Sequence, residues 1–289
     1  MITIGSVTNR IDTMPLDARK TRRVMSETIL GWSGRALVAA VWISALLFGL
    51  YIIAFYAGTL AEGRMERWND VVVGLYDPNK PAATVGLSVH FATGGIILIL
   101  GCIQLIGSLR DRFPTLHRML GRIYVICAIL AGLGGLASIL IKGTVGGTVM
   151  DIGFGLYGTL MVLAAVQTYR YARAGRVAEH RAWSIRLFAL AIGSWLYRMD
   201  YGFWMLMTGG LGHGPAFRGP FDRVMAFFFY VPNLLVAEAF IRGRARATSP
   251  VVRLAASAAL FAASAFILIG TFYFMKFYWA PAILERIIG

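Results

Sequence analysis

Two adjacent histidine–arginine pairs, His117-Arg118 and His180-Arg181, are the residues of this chain best suited to chemistry. The first opens His117-Arg-Met-Leu-Gly-Arg122 and the second opens His180-Arg-Ala-Trp-Ser-Ile-Arg186, each at the start of a long apolar run. An imidazole titrates near neutrality and ligates metals, and a guanidinium forks onto carboxylate or phosphate. If both pairs face one core, His117 and His180 can ligate the iron of haem b, and Arg118, Arg122, Arg181 and Arg186 can hold its propionates. With Gln104 and Tyr124, the same group suits a quinone head group, which needs donors to two carbonyls and a protonatable neighbour. A lipid phosphate is a third ligand for the arginines. The structural alternative is that first-turn His and Arg, with Trp183, only anchor helices at the interface.

A second level lies deeper. His90 sits about 8 Å into its apolar run, and Arg198 about 22 Å into its own, at 1.5 Å per residue. These depths bring His90 and Arg198 to one outer level, with Asp200 two residues further along. A charge inside a membrane span is costly, so Arg198 is a functional candidate unless Asp200 or His90 neutralises it. His213, in a Gly-rich stretch, has no evident partner and reads as exposed.

The elements that position these residues follow from composition. Hydrophobic residues make up 58% of the 289 and charged residues 15%, a balance that would leave a soluble protein with large exposed apolar patches. Seven runs, near Leu37–Gly58, Val85–Leu109, Met119–Ile141, Ile152–Tyr169, Trp183–Thr208, Val224–Ile241 and Leu254–Met275, are long enough to cross the bilayer. Backbone polar groups cannot go unpaired in lipid, so these runs must be helices. The expected fold is all-α, a polytopic membrane protein of about seven transmembrane helices around a four-helix core. A polar segment 1–35 precedes a single transmembrane domain, 36–289, whose core helices occupy 85–208.

The net charge of +14 is unevenly spread. Nineteen of the 28 Lys and Arg fall in alternate segments starting with the N-terminal one, eight fall in the others, and Arg198 lies within a run. That bias predicts a cytoplasmic N-terminus and a periplasmic C-terminus. The basic inner face would attract anionic lipids, and the pattern argues against a nucleic-acid partner. Cys102 and Cys127 both fall inside helices, without the spacing of a disulfide framework or a zinc site. No phosphate loop, zinc-protease motif or nucleophile elbow is present, which disfavours phosphoryl transfer and hydrolysis.

Helical spacing adds two stripes. His90, Gly94, Ile97, Gly101 and Gln104 form one, and His117, Gly121, Tyr124, Ala128, Ala131 and Gly135 form the other. Small residues at these steps let helix backbones approach closely, which turns the polar members toward protein.

The pattern His90, Gln104, His117-Arg118-x-x-Gly121-Arg122-x-Tyr124, Gly153-Phe154-Gly155 and His180-Arg181-x-Trp183-x-x-Arg186 resembles domain-of-unknown-function family 2306, multi-pass bacterial membrane proteins. The run Ala182-Trp183-Ser184-Ile185 departs from the bulkier or Met-containing run expected there. The resemblance spans about Val85 to Tyr201. It implies a bacterial inner-membrane location and supports the four-helix core, and it implies no activity. The residues themselves leave two functional classes: a membrane protein binding haem b or a quinone, or a non-enzymatic subunit, regulator or small-molecule transporter whose polar residues lock helices.

Overall fold

The structure is a computed structural model that describes residues 16–71, 74–104, 106–243 and 249–288. Among the described residues the regular elements are all helical. The long ones are α1 (Leu16–Tyr51), α2 (Pro81–Gln104), α3 (Pro114–Lys142), α4 (Thr148–Arg173), α5 (Val177–Ala191), α6 (Gly193–Thr208), α7 (Pro220–Phe228), α8 (Val231–Gly243), α9 (Pro250–Phe274) and α10 (Ala280–Ile288). Local chemistry sets several ends. Pro114 opens α3, where its missing N–H goes unneeded. Gly209, in the left-handed region with φ 66°, closes α6. The Asp222 carboxylate turns back to the Gly219 N–H at 2.8 Å and fastens the start of α7.

Among the described residues, six stretches are long and apolar enough to cross a membrane: Lys20–Ala61, Pro81–Gly101, Pro114–Lys142, Thr148–Arg173, Pro220–Arg242 and Pro250–Glu285. Their outward faces are large apolar side chains, such as Ile126, Leu133 and Leu140 on α3, as a lipid-facing surface requires. The chain is therefore an all-α polytopic membrane protein. The run expected as one span at Trp183–Thr208 is built differently, because it is divided between α5 and α6 at Ile192. At 15 and 16 residues, the two helices are about 22 and 24 Å long, each short of the ~30 Å hydrocarbon layer.

The chain divides into two compact units. One comprises residues 1–41 and 245–268; within it Glu27 bridges Arg23 and Arg253, each at 3.1 Å. Of the basic residues counted above, Arg10, Arg244 and Arg246 lie outside the described residues, as does part of the 1–35 segment.

The other unit, residues 42–244 and 269–289, holds the four-helix core. In it α2 packs along α3, α3 along α4 and α4 along α5, and α5 returns to α2. The α2–α3 pair is antiparallel: Gly86 meets Gly134, His90 meets Ala131, and Gly101 meets Tyr124. The closest crossing needs glycine, since a Cβ on Gly134 would stand 2.4 Å from the Gly86 carbonyl oxygen. Much of both stripes faces this contact, with Ile97, Tyr124, Ala128 and Ala131 buried, whereas a Cβ on Gly94 would meet nothing within 4 Å. Cys127 is a buried free thiol on α3.

Candidate ligand cavity

A cavity of about 390 Å³ opens where α2, α3, α4 and α6 meet at the Lys142 end of α3. That volume lies within the ~300–1,000 Å³ of small-molecule sites. Two loops complete its wall. The segment before α2 contributes Val71, Gly74 and Leu75, and Lys142 secures it by donating to the carbonyls of Gly74 at 3.0 Å and Leu75 at 2.5 Å. The loop between α6 and α7 contributes His213 and Phe217. The lining is rich in aromatic rings, and no carboxylate belongs to it among the described residues. Its cations are Arg198 and Lys142, and its imidazoles are His90 and His213.

Arg198 is positioned by the break between α5 and α6. The Tyr157 hydroxyl enters the break, donating to the Leu190 carbonyl at 2.8 Å while the Ser194 backbone N–H is directed at the same hydroxyl. A side chain inserted into the helical ladder is a recognised cause of such a break. Gly193 sits at the insertion because a Cβ there would press on Tyr157 at 3.2 Å and Phe229 at 3.3 Å. One turn later Arg198 donates to the Ser194 carbonyl at 2.8 Å. Its guanidinium lies 4.5 Å from the Phe48 ring centroid, a cation–π contact, and the Tyr56 hydroxyl accepts from it. The expected pairing of Arg198 with Asp200 or His90 is not among its contacts. It makes no ion pair among the described residues, although its charge acts on His90.

Asp222, His213 and Tyr201 are a cluster that sequence reasoning missed. Asp222 is 1% exposed and accepts from the Tyr201 hydroxyl at 2.6 Å, and its Oδ1 lies 2.7 Å from His213 Nδ1. Its other oxygen accepts the N–H groups of Gly214 at 3.0 Å and Gly219 at 2.8 Å. The Tyr197 hydroxyl donates to Tyr201 at 3.2 Å. His213 is thus partnered, which corrects its reading as an exposed loop residue. The loop crosses itself so tightly that a Cβ on Gly219 would stand 2.1 Å from the Gly212 carbonyl oxygen. Ala216 and Phe217 hold positive φ, 53° and 57°, a strained conformation that persists where surroundings over-determine it. The legible signals were a glycine-rich loop and an Asp at the third position of the following helix.

Three of the four histidines share one feature. His90 Nδ1 lies 2.8 Å from the Ala131 carbonyl oxygen, and His180 Nδ1 lies 3.0 Å from the Thr168 carbonyl oxygen. His213 Nδ1 faces a carboxylate. An oxygen without a hydrogen only accepts, so Nδ1 carries the proton and Nε2 of each neutral ring keeps its lone pair.

The His117 end of the core is arranged differently. His117 and His180 are near enough for charge on one to act on the other, and Gln104 donates to the His117 backbone carbonyl at 3.4 Å. Gln104 also lies against Gly121, and Tyr124 is buried beside Gly101. His117 Nδ1 is buried without a hydrogen-bond partner among the described residues. The arginines there are only partly brought together. Arg186 is engaged by Glu238 through bonds of 3.0 and 3.1 Å and stacks on Trp183, Arg118 reaches Thr115 at 3.3 Å, and Arg122 and Arg181 are exposed. Arg67, outside the spans, donates to the Glu285 carboxylate at 3.0 and 3.1 Å, which raises the proton affinity of its guanidinium.

Residues 87–241, more than half of the chain, match the family model DUF2306, described as a predicted membrane protein. No curated protein and no solved structure matches the chain.

Proposed function

The chain belongs to the DUF2306 family of predicted membrane proteins, and on that premise we propose that it binds a quinone head group in the α2–α6 cavity. The observation that carries the reading is the pairing of donors and acceptors on one aromatic-lined wall. Arg198 and Lys142 supply N–H groups on this wall, and His90 and His213 supply Nε2 lone pairs. A quinone presents two carbonyl acceptors and its quinol two hydroxyl donors, so such a wall suits both oxidation states. The acid-free lining favours the electron-rich oxygens of the ring over a cation.

The chain would sit in a bacterial inner membrane with its N-terminus cytoplasmic, and the exposed Arg118, Arg122 and Arg181 would meet anionic lipid at the cytoplasmic face. A rival reading places haem b between His117 and His180. In its favour, His180 is oriented by a carbonyl as iron-bound imidazoles are; His117 has no such partner.

The test is the purified full-length protein in detergent. Organic extraction should release a quinone detectable by mass spectrometry, and a short-chain quinone should saturably quench tryptophan fluorescence, since Trp279 lines the cavity. Arg198→Gln should weaken that quenching by about tenfold, the loss of one charged donor. If no quinone is extracted and no quenching is seen, the quinone reading falls, and a Soret band that shifts in His180→Ala would replace it with haem.

A further inference from the structure

We propose that His213 is the base of this cavity, taking the proton of a hydroxyl-bearing ring bound there so that the ring is held as its oxyanion. The inference rests on the cavity reading above and names the chemistry of its ligand: an ionisable ring hydroxyl, as in a quinol or a phenol.

The geometry supplies each part of the transfer. Asp222 lies 2.7 Å from Nδ1, so Nδ1 carries the proton of the neutral ring and Nε2 holds the lone pair. The imidazole belongs to the cavity lining, and its side chain is 28% exposed, so it is neither sealed off nor free in solvent. Tyr201 at 5.7 Å and Phe217 at 5.2 Å between ring centroids fix its plane, each near edge-to-face. When the ligand O–H breaks and Nε2–H forms, the new imidazolium already faces a carboxylate that is 1% exposed. The charged and titratable groups around it are Asp222 and Tyr201 in contact, Tyr197 one hydrogen bond further, and Lys142 and Arg198 on the same cavity wall. Both of those cations favour the ligand oxyanion once it forms. The proton therefore moves within the site, and charge is conserved without an external oxidant or reductant.

The same cluster also holds the loop together, so the test must separate a base from a strut. The full-length protein in detergent is titrated with an alkyl nitrophenol, whose phenolate absorbs at longer wavelength than its phenol, and with the O-methyl ether of that probe. Wild type should bind the probe as phenolate at a pH below the probe's own ionisation. His213→Gln should bind it as the neutral phenol and about tenfold more weakly, while ether binding stays unchanged. Unchanged ether binding shows that the cavity of the variant is intact. A probe bound as neutral phenol by wild type, or phenolate persisting in His213→Gln, overturns the proposal and leaves the cavity reading standing. Failure of wild type to bind either probe overturns both.

Discussion

The Tyr157 hydroxyl occupies the place that a backbone hydrogen bond would hold between Leu190 and Ser194, donating to the Leu190 carbonyl at 2.8 Å. Without that hydroxyl, the carbonyl is a buried acceptor without its partner at the point where α5 gives way to α6. Tyr157→Phe keeps the ring packing against Phe229 and Tyr230 and should cost about 1–3 kcal/mol. Thermal unfolding in detergent measures it. An unchanged melting temperature would mean that the break does not depend on the hydroxyl.

Ser44 joins three elements through one oxygen. It accepts from Trp195 Nε1 at 2.8 Å and from the Thr271 hydroxyl at 2.5 Å, and it donates to Met199 Sδ at 3.6 Å. Trp195 and Ser44 are both fully buried. Ser44→Ala should lower stability by about 1–3 kcal/mol, since the indole N–H loses its acceptor, and Ser44→Thr should do less harm if its methyl fits. Chemical denaturation of the two variants side by side decides the point.

Glycines of α2 and α3 should divide by what a methyl group would meet. Gly134→Ala drives a Cβ into the Gly86 carbonyl and should destabilise by about 1–3 kcal/mol or more. Gly94→Ala meets nothing within 4 Å and should be neutral or slightly stabilising, because alanine favours a helix. Equal melting temperatures for the two would contradict the close crossing.

Arg186 and Arg198 should respond oppositely in ligand binding. Glu238 already engages Arg186 from two sides, whereas Arg198 has no carboxylate partner among the described residues. Arg186→Gln should therefore leave quinone quenching unaltered while shifting stability by about 1 kcal/mol or less, as partly exposed ion pairs do. Loss of quenching in Arg186→Gln would move the ligand to the His117 end.

Reporter fusions at Arg176 and at Pro215 should report opposite sides of the membrane, with Arg176 cytoplasmic. The 19-to-8 distribution of basic residues motivates this orientation. The two positions flank α5 and α6, so the same experiment asks whether the broken pair crosses as one unit. Activity on the same side would mean that it does not.

Much of the architecture was legible in the chain itself. Apolar runs in lipid must close their backbone hydrogen bonds within themselves, so the helices at α2, α3 and α4 followed from length and composition alone. Spacing was equally informative: the His90 and His117 stripes meet across α2 and α3 because residues three and four apart share a helix face. Family membership was readable for a related reason, since the boxes from His90 to Arg186 are local in sequence. Tertiary structure alone decided the rest. The break at Ile192 is imposed by a hydroxyl from α4, which reaches a carbonyl 33 residues further along the chain, and no pattern within the run Trp183–Thr208 announces it. The partners of Arg198 are a ring and a hydroxyl from α1 and its continuation, so depth along one helix pointed to Asp200 and His90 without knowing what lay alongside. His213 read as solitary because Asp222 is nine residues away, and only a loop that crosses itself brings the two within 2.7 Å. Periodicity reports which face of a helix is buried, but the atom that meets a given polar group is set by where other segments come to rest.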